Sequence, residues 1–171
     1  MRHLFFAIIL PLILSWSLSL TGCSLSTAEI SPSALLSVFS EPFACTFSAD
    51  GPGDSITDVT LTRTEDGDCF TAGGAQLLFR EGAWELFVPA TPEEEALTVP
   101  VVPGESGAAL WRTLFSVTDD GKLTLSHSEE GLTVSDRTGT FTAVFTEDGT
   151  PLRLSAHGVT VKITAFRRGT P

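Results

Sequence analysis

From Phe43 to the end, the chain follows a two-residue period broken at short intervals by turn dipeptides, and this limits its fold more than any other feature. In an extended strand successive side chains face opposite sides, so alternation of apolar with polar residues gives one buried and one wet face. Phe43, Cys45, Phe47 and Ala49 alternate in this way, as do Val59, Leu61 and Arg63 against Thr60, Thr62 and Thr64. Further strands are predicted over 69–72, 75–80, 83–88, 122–127, 131–135, 139–146, 152–156 and 159–168, nearly all rich in threonine or β-branched residues, which suit a pleated surface. Asp50-Gly51, Asp66-Gly67, Asp120-Gly121 and Asp148-Gly149 supply the positive φ of tight turns, and Glu81-Gly82, Glu130-Gly131 and His157-Gly158 take related parts. A meander of antiparallel hairpins follows.

Two segments depart from this period. Residues 31–39 read as a short helix with Ser31 as N-cap, Pro32 at the first helical position, and Leu35, Leu36 and Phe39 on one face. Residues 106–117 read as a second, with Ser106 as cap and Leu110, Trp111, Leu114 and Phe115 on one face. Between the two groups of strands, 89–103 reads as a long surface loop containing Glu93-Glu94-Glu95. The expected class is therefore mainly β with two short helices, an α+β chain of one domain over 31–171.

The first residues follow other rules. Arg2 and His3 precede an apolar run, Leu4 to Leu14, and a small-residue exit, Leu20-Thr21-Gly22-Cys23, which is the order of a secretory signal peptide over 1–22. The run is short for a bilayer core of about 30 Å, and Pro11 and Ser15, Ser17 and Ser19 weaken it as a permanent span. The exit resembles the lipobox of bacterial lipoproteins. That resemblance implies cleavage before Cys23, lipidation of its sulfur, a lipidated tether over 23–30, and a membrane-anchored domain facing away from the cytoplasm. In a diderm, Ser24 after the cysteine would allow an outer-membrane address.

An acylated leader, a short helix, a meander, a mid-chain helix and a closing pair of long strands resemble the lipoprotein-carrier family. The turn from Thr146 through Asp148-Gly149-Thr150-Pro151 into the alternating strand Val159 to Phe166 is the local likeness. In that family a curved antiparallel sheet forms an unclosed half-barrel packed on helices. The resemblance implies a hydrophobic cavity for a lipid or acyl ligand, with Phe47, Leu61, Phe79, Leu86, Trp111, Phe115, Phe141, Phe145 and Ile163 as its candidate lining. The alternative is that these side chains fill a closed core, as apolar strand faces mostly do.

Composition narrows the functional classes. The formal charge is −11, and Arg2 is the only charged residue before Cys23, so the acidic balance argues against nucleic acid and against a polybasic anchor. Twelve phenylalanines and no tyrosine favour a dry core or a greasy groove over a polar recognition surface. Export allows a disulfide between Cys45 and Cys69, whereas a simple meander would put their strands two spacings apart and leave free thiols. No CxxC occurs, and His127 and His157 stand apart from other ligands, so no metal or cofactor is expected. There is no G-x-S-x-G, phosphate loop or H-E-x-x-H, and pairs such as Glu85 with Glu147 or Asp66 with Asp68 read as solvated surface. The expectation is a non-enzymatic, lipid-anchored binder of a hydrophobic ligand. The alternative is a structural lipoprotein whose acidic loop or sheet edge meets an envelope protein.

Overall fold

The computed structural model describes residues 30–51, 55–92, 94–102 and 107–169. The expected leader, Cys23 and the tether as far as residue 29 lie outside the described residues, as do Glu93 and Ser106. Helix α1 (Pro32–Leu36) runs into a 3-10 turn (Ser37–Phe39), and β1 (Phe43–Asp50), β2 (Ser55–Thr64), β3 (Gly67–Ala72), β4 (Ala75–Arg80), β5 (Ala83–Val88) and β6 (Leu97–Val101) follow. Helix α2 (Ala108–Leu114) then leads to β7 (Thr124–Ser128), β8 (Gly131–Ser135), β9 (Phe141–Phe145), β10 (Pro151–Ala156) and β11 (Val159–Arg168).

All eleven strands belong to one antiparallel sheet, ordered β6-β5-β4-β3-β2-β1-β11-β10-β9-β8-β7. The sheet is open and curved like a half-barrel, because β6 and β7 remain its two edges and do not pair. Each meander occupies one wing, and the first and last strands meet at the centre, in register from Phe43 opposite Arg168 to Asp50 opposite Thr160. Strand β1 carries irregularities between Thr46 and Phe47 against β11, and between Phe47 and Ala49 against β2. Such bulges bend a strand and increase its twist, and here they fall in the middle of the sheet, where curvature brings both wings toward the helices.

Ser31 caps α1 as its sequence suggests, accepting a hydrogen bond from Ala34 N at 3.2 Å. The second helix departs from the reading: it begins at Ala108, with Gly107 at the N-cap position (φ 69°) and no side-chain cap. The expected loop over 89–103 is also corrected, since residues 97–101 pair with β5 as strand β6. Pro100 hid this strand in the sequence, and an edge position tolerates it because a missing N–H can face away from the neighbouring strand.

The core lies on the concave face. Directly opposed residues of an antiparallel pair share a face, so the register places Cys45, Leu61, Phe70, Leu77, Leu86 and Val99 in one row from β1 to β6. The next row holds Phe43, Arg63, Asp68, Phe79, Trp84 and Val101. Phe39, Phe43, Phe47, Phe115 and Phe145 are fully buried where α2 and the 3-10 turn cover these rows. Their rings meet edge-on or tilted, as with Phe39 and Phe115 at 5.5 Å and Phe47 and Trp111 at 5.5 Å.

Gly67 shows how closely the hairpins pack. A Cβ there would lie 2.1 Å from Phe79 O, at a φ of 139° that L residues rarely adopt. Gly67→Ala should therefore cost about 3 kcal/mol or more. Gly73→Ala, at φ 56° with nothing within 4 Å of a Cβ, should cost about 1 kcal/mol. Urea unfolding midpoints of the two variants check the difference.

Candidate functional site: a buried arginine latch and an open apolar strip

The inward phase of β2, Val59-Leu61-Arg63, directs a guanidinium into the concave face. Arg63 stands opposite Asp68 of β3, and the pair is bidentate, with Nε to Oδ1 at 2.6 Å and Nη2 to Oδ2 at 2.9 Å. Nη1 donates to Phe39 O at 2.7 Å and to Phe115 O at 2.8 Å, while Nη2 also reaches Ser116 Oγ at 3.2 Å. All five N–H groups of the fork are thereby used. Two of the acceptors are carbonyls at helical C-termini, which have no partner of their own within a helix and carry partial negative charge. One side chain thus fastens the 3-10 turn and α2 to the sheet.

Asp68 is 4% exposed, the one buried charged residue among those described. It also faces a second cation: Arg112 Nε lies 3.0 Å from Asp68 Oδ2, an ion pair without the alignment of a hydrogen bond. The Arg112 guanidinium is stacked 3.7 Å from the centre of the Phe79 ring. Sequence reading had placed Asp68 on the solvated surface. Its position directly across the hairpin from an in-phase Arg63 was the signal for burial, but the helical carbonyls that complete the site come from distant parts of the chain.

The nine candidate lining residues separate into two groups. Phe47, Leu61, Phe115, Phe141, Phe145 and Ile163 belong to the buried core cluster. Trp111 is half-buried at the border, touching Phe47 and, at 6.1 Å, Phe70. Phe79 and Leu86 lie beyond it on the β4–β6 wing and are half-buried. Beside the core, a void of about 140 Å³ opens between Leu110 and Leu114 of α2 and Phe141, Ala156 and His157. That is the size of a cavity that holds benzene, so it has room for a ring and not for a whole acyl chain.

Outward from Phe70 and Phe79 the concave face continues as an apolar strip. Leu77, Trp84 and Leu86 are half-buried, and Val88, Val99 and Leu97 are 37%, 36% and 56% exposed. Among the described residues α2 reaches this wing through Trp111 and Arg112, at its inner margin.

Other candidates are not brought together. Cys45 and Cys69 are free thiols. They flank β2 on separate strands, Cys45 opposite Leu61 and Cys69 opposite Thr62, and so point to opposite faces of the sheet. Burial pushes the Cys45 thiol up to about 12, which keeps it protonated and a poor nucleophile. His127 lies in β7 and His157 in the turn between β10 and β11, both exposed. Glu85 and Glu147 lie on opposite wings. No group of His, Cys, Asp and Glu suited to a metal occurs among the described residues.

Removing one partner of the buried pair leaves a charge without compensation, so Asp68→Ala should lower stability by about 3–5 kcal/mol. The double variant Arg63→Met, Asp68→Leu should recover part of that loss and not all, because Phe39 O and Phe115 O lose their donor. Guanidinium unfolding of the three proteins measures this. Comparison with protein-family models and with curated proteins finds none that matches this chain, so its function is to be read from its own residues.

Proposed function

We propose that the chain is a non-enzymatic lipoprotein, anchored by lipid at Cys23 outside the cytoplasm, whose domain binds a hydrophobic ligand on the concave face of its sheet. The observation that carries the reading is the strip over β4–β6. A curved sheet normally buries its apolar face, yet here Leu97, Val99 and Val88 meet solvent beside Leu77 and Leu86. The covered half of the same face is filled by phenylalanine rings, and the pocket beside Leu110, Leu114 and Phe141 is of ring size. Ligand burial is therefore assigned to the wing. The driving force is removal of apolar area from water, about 25 cal/mol per Å², against side chains already held by strand pairing.

The alternative, an interaction protein using its sheet edge, is less favoured by the geometry. The apolar strip ends at edge strand β6, and Pro100 within it removes a donor that an added strand would need. The anchor is supported by the Leu20-Thr21-Gly22-Cys23 exit.

Two measurements test the proposal. Cys23→Ser should abolish incorporation of a clickable palmitate and release the protein from the membrane fraction. A protein beginning at Ser31, the start of the unit that contains the sheet, should bind Nile red saturably. Leu86→Glu with Val99→Glu should weaken that binding at least about tenfold, the equivalent of about 1.4 kcal/mol, while the melting transition is retained. Unchanged dye binding in the double variant would refute the strip as the site.

A further inference from the structure

Taking the hydrophobic strip as the binding surface, the charge arrangement at its inner end identifies the ligand more closely. Arg63 has all five donors engaged and shares Asp68 with Arg112, so one buried carboxylate faces two guanidinium groups. Arg112 is the surplus cation. Its Nε lies 3.0 Å from Asp68, and among the described residues its two terminal nitrogens make no hydrogen bond. The side chain is 36% exposed, and its Cζ lies over the Phe79 ring, 3.7 Å from the centre. Phe79 in turn touches Trp84 at 5.0 Å, the first residue of the strip along β5. A planar fork is thus fixed, with its outer edge free, where the apolar surface begins.

We infer that the strip binds a long-chain carboxylate, its head group on the terminal nitrogens of Arg112 and its alkyl chain along β5 and β6 toward Val88 and Leu97. An arginine fork matches a carboxylate in a bidentate pair. From Trp84 to Val88 the strand rises about 13 Å at 3.3 Å per residue, enough for a medium-length alkyl chain. The open hollow at the head-group end, about 280 Å³, is lined by Arg63, Arg112 and Asp68, and also by exposed Glu65, Asp66 and Glu81. Those three solvated carboxylates repel a head group of higher charge. A single carboxylate in direct contact with Arg112 outweighs them, because opposite charges in contact interact more strongly than charges screened by intervening water.

The test uses the full chain in its native membrane and a diazirine-bearing fatty acid as photoprobe, with crosslinked peptides mapped and unlabelled dodecanoate or dodecanol as competitor. In the wild type, labelling should map to β5 and β6, and dodecanoate should compete at a concentration at least roughly tenfold lower than dodecanol, since hydrogen bonds between charged groups are stronger than those to a neutral hydroxyl. Arg112→Gln should bring the two competitors together, and Arg112→Lys, which keeps the charge and loses the fork, should give an intermediate ratio. Equal competition by acid and alcohol in the wild type would overturn the carboxylate assignment while leaving a hydrophobic strip in place. That comparison needs no variant to fold. Saturable labelling absent from β5 and β6 would overturn the strip reading itself. Crosslinks joining two copies of the chain through β6 would replace the ligand with self-association.

Discussion

The structure depends on a guanidinium that is largely shielded from water and has every donor bonded. Arg63 joins strands β2 and β3 through Asp68 and holds the ends of two helical segments through Phe39 O and Phe115 O. A buried charge is costly unless it is paired and every donor is used, so the position of one element constrains the others. If α2 shifted along the sheet, Phe115 O and Ser116 Oγ would leave Arg63 together. The phenylalanine core under the helices is packed against this fixed frame, and the edge-to-face contacts of Phe39 with Phe43 and Phe115 tolerate little displacement.

The same interaction divides the concave face. On one side of the Arg63 row, helices and rings fill the space, and the pocket at Leu110, Leu114 and Phe141 is of ring size. On the other, β4–β6 extend beyond the reach of Trp111 and Arg112 and keep an apolar surface in contact with solvent. Half-barrel curvature makes this division natural. A helix of seven residues covers about 10 Å of sheet at 1.5 Å per residue, whereas six strands at about 4.8 Å spacing make one wing more than twice as wide. The excess sheet leaves Val88, Leu97 and Val99 in contact with solvent, and this is the surface that the proposed ligand would cover.

The phase of the strands, the Ser31 cap and most turns were legible in the residues because each is a local property. Alternation fixes which side chains share a face, and a positive φ at dipeptides such as Glu81-Gly82 and His157-Gly158 fixes where hairpins reverse. The strand period also placed Phe47, Leu61 and Phe145 on inward faces. Strand β6 escaped notice because Pro100 breaks its local signature, and only its pairing with β5 makes it a strand. The start of α2 at Gly107 escaped for a related reason: a left-handed residue, with no capping side chain, sets the boundary.

By itself, then, the order of residues determined an antiparallel meander with an apolar face, two short helices and the lipobox-like exit at Cys23. Tertiary structure alone decided that β1 and β11 meet at the centre, that Asp68 is buried, that Arg63 is enclosed by carbonyls from residues 39 and 115, and that Val88, Leu97 and Val99 of β5 and β6 meet solvent. The physical reason is range. Periodicity and backbone angles act within a few residues, whereas burial of a charge or exposure of an apolar strip depends on which distant segment lies above it.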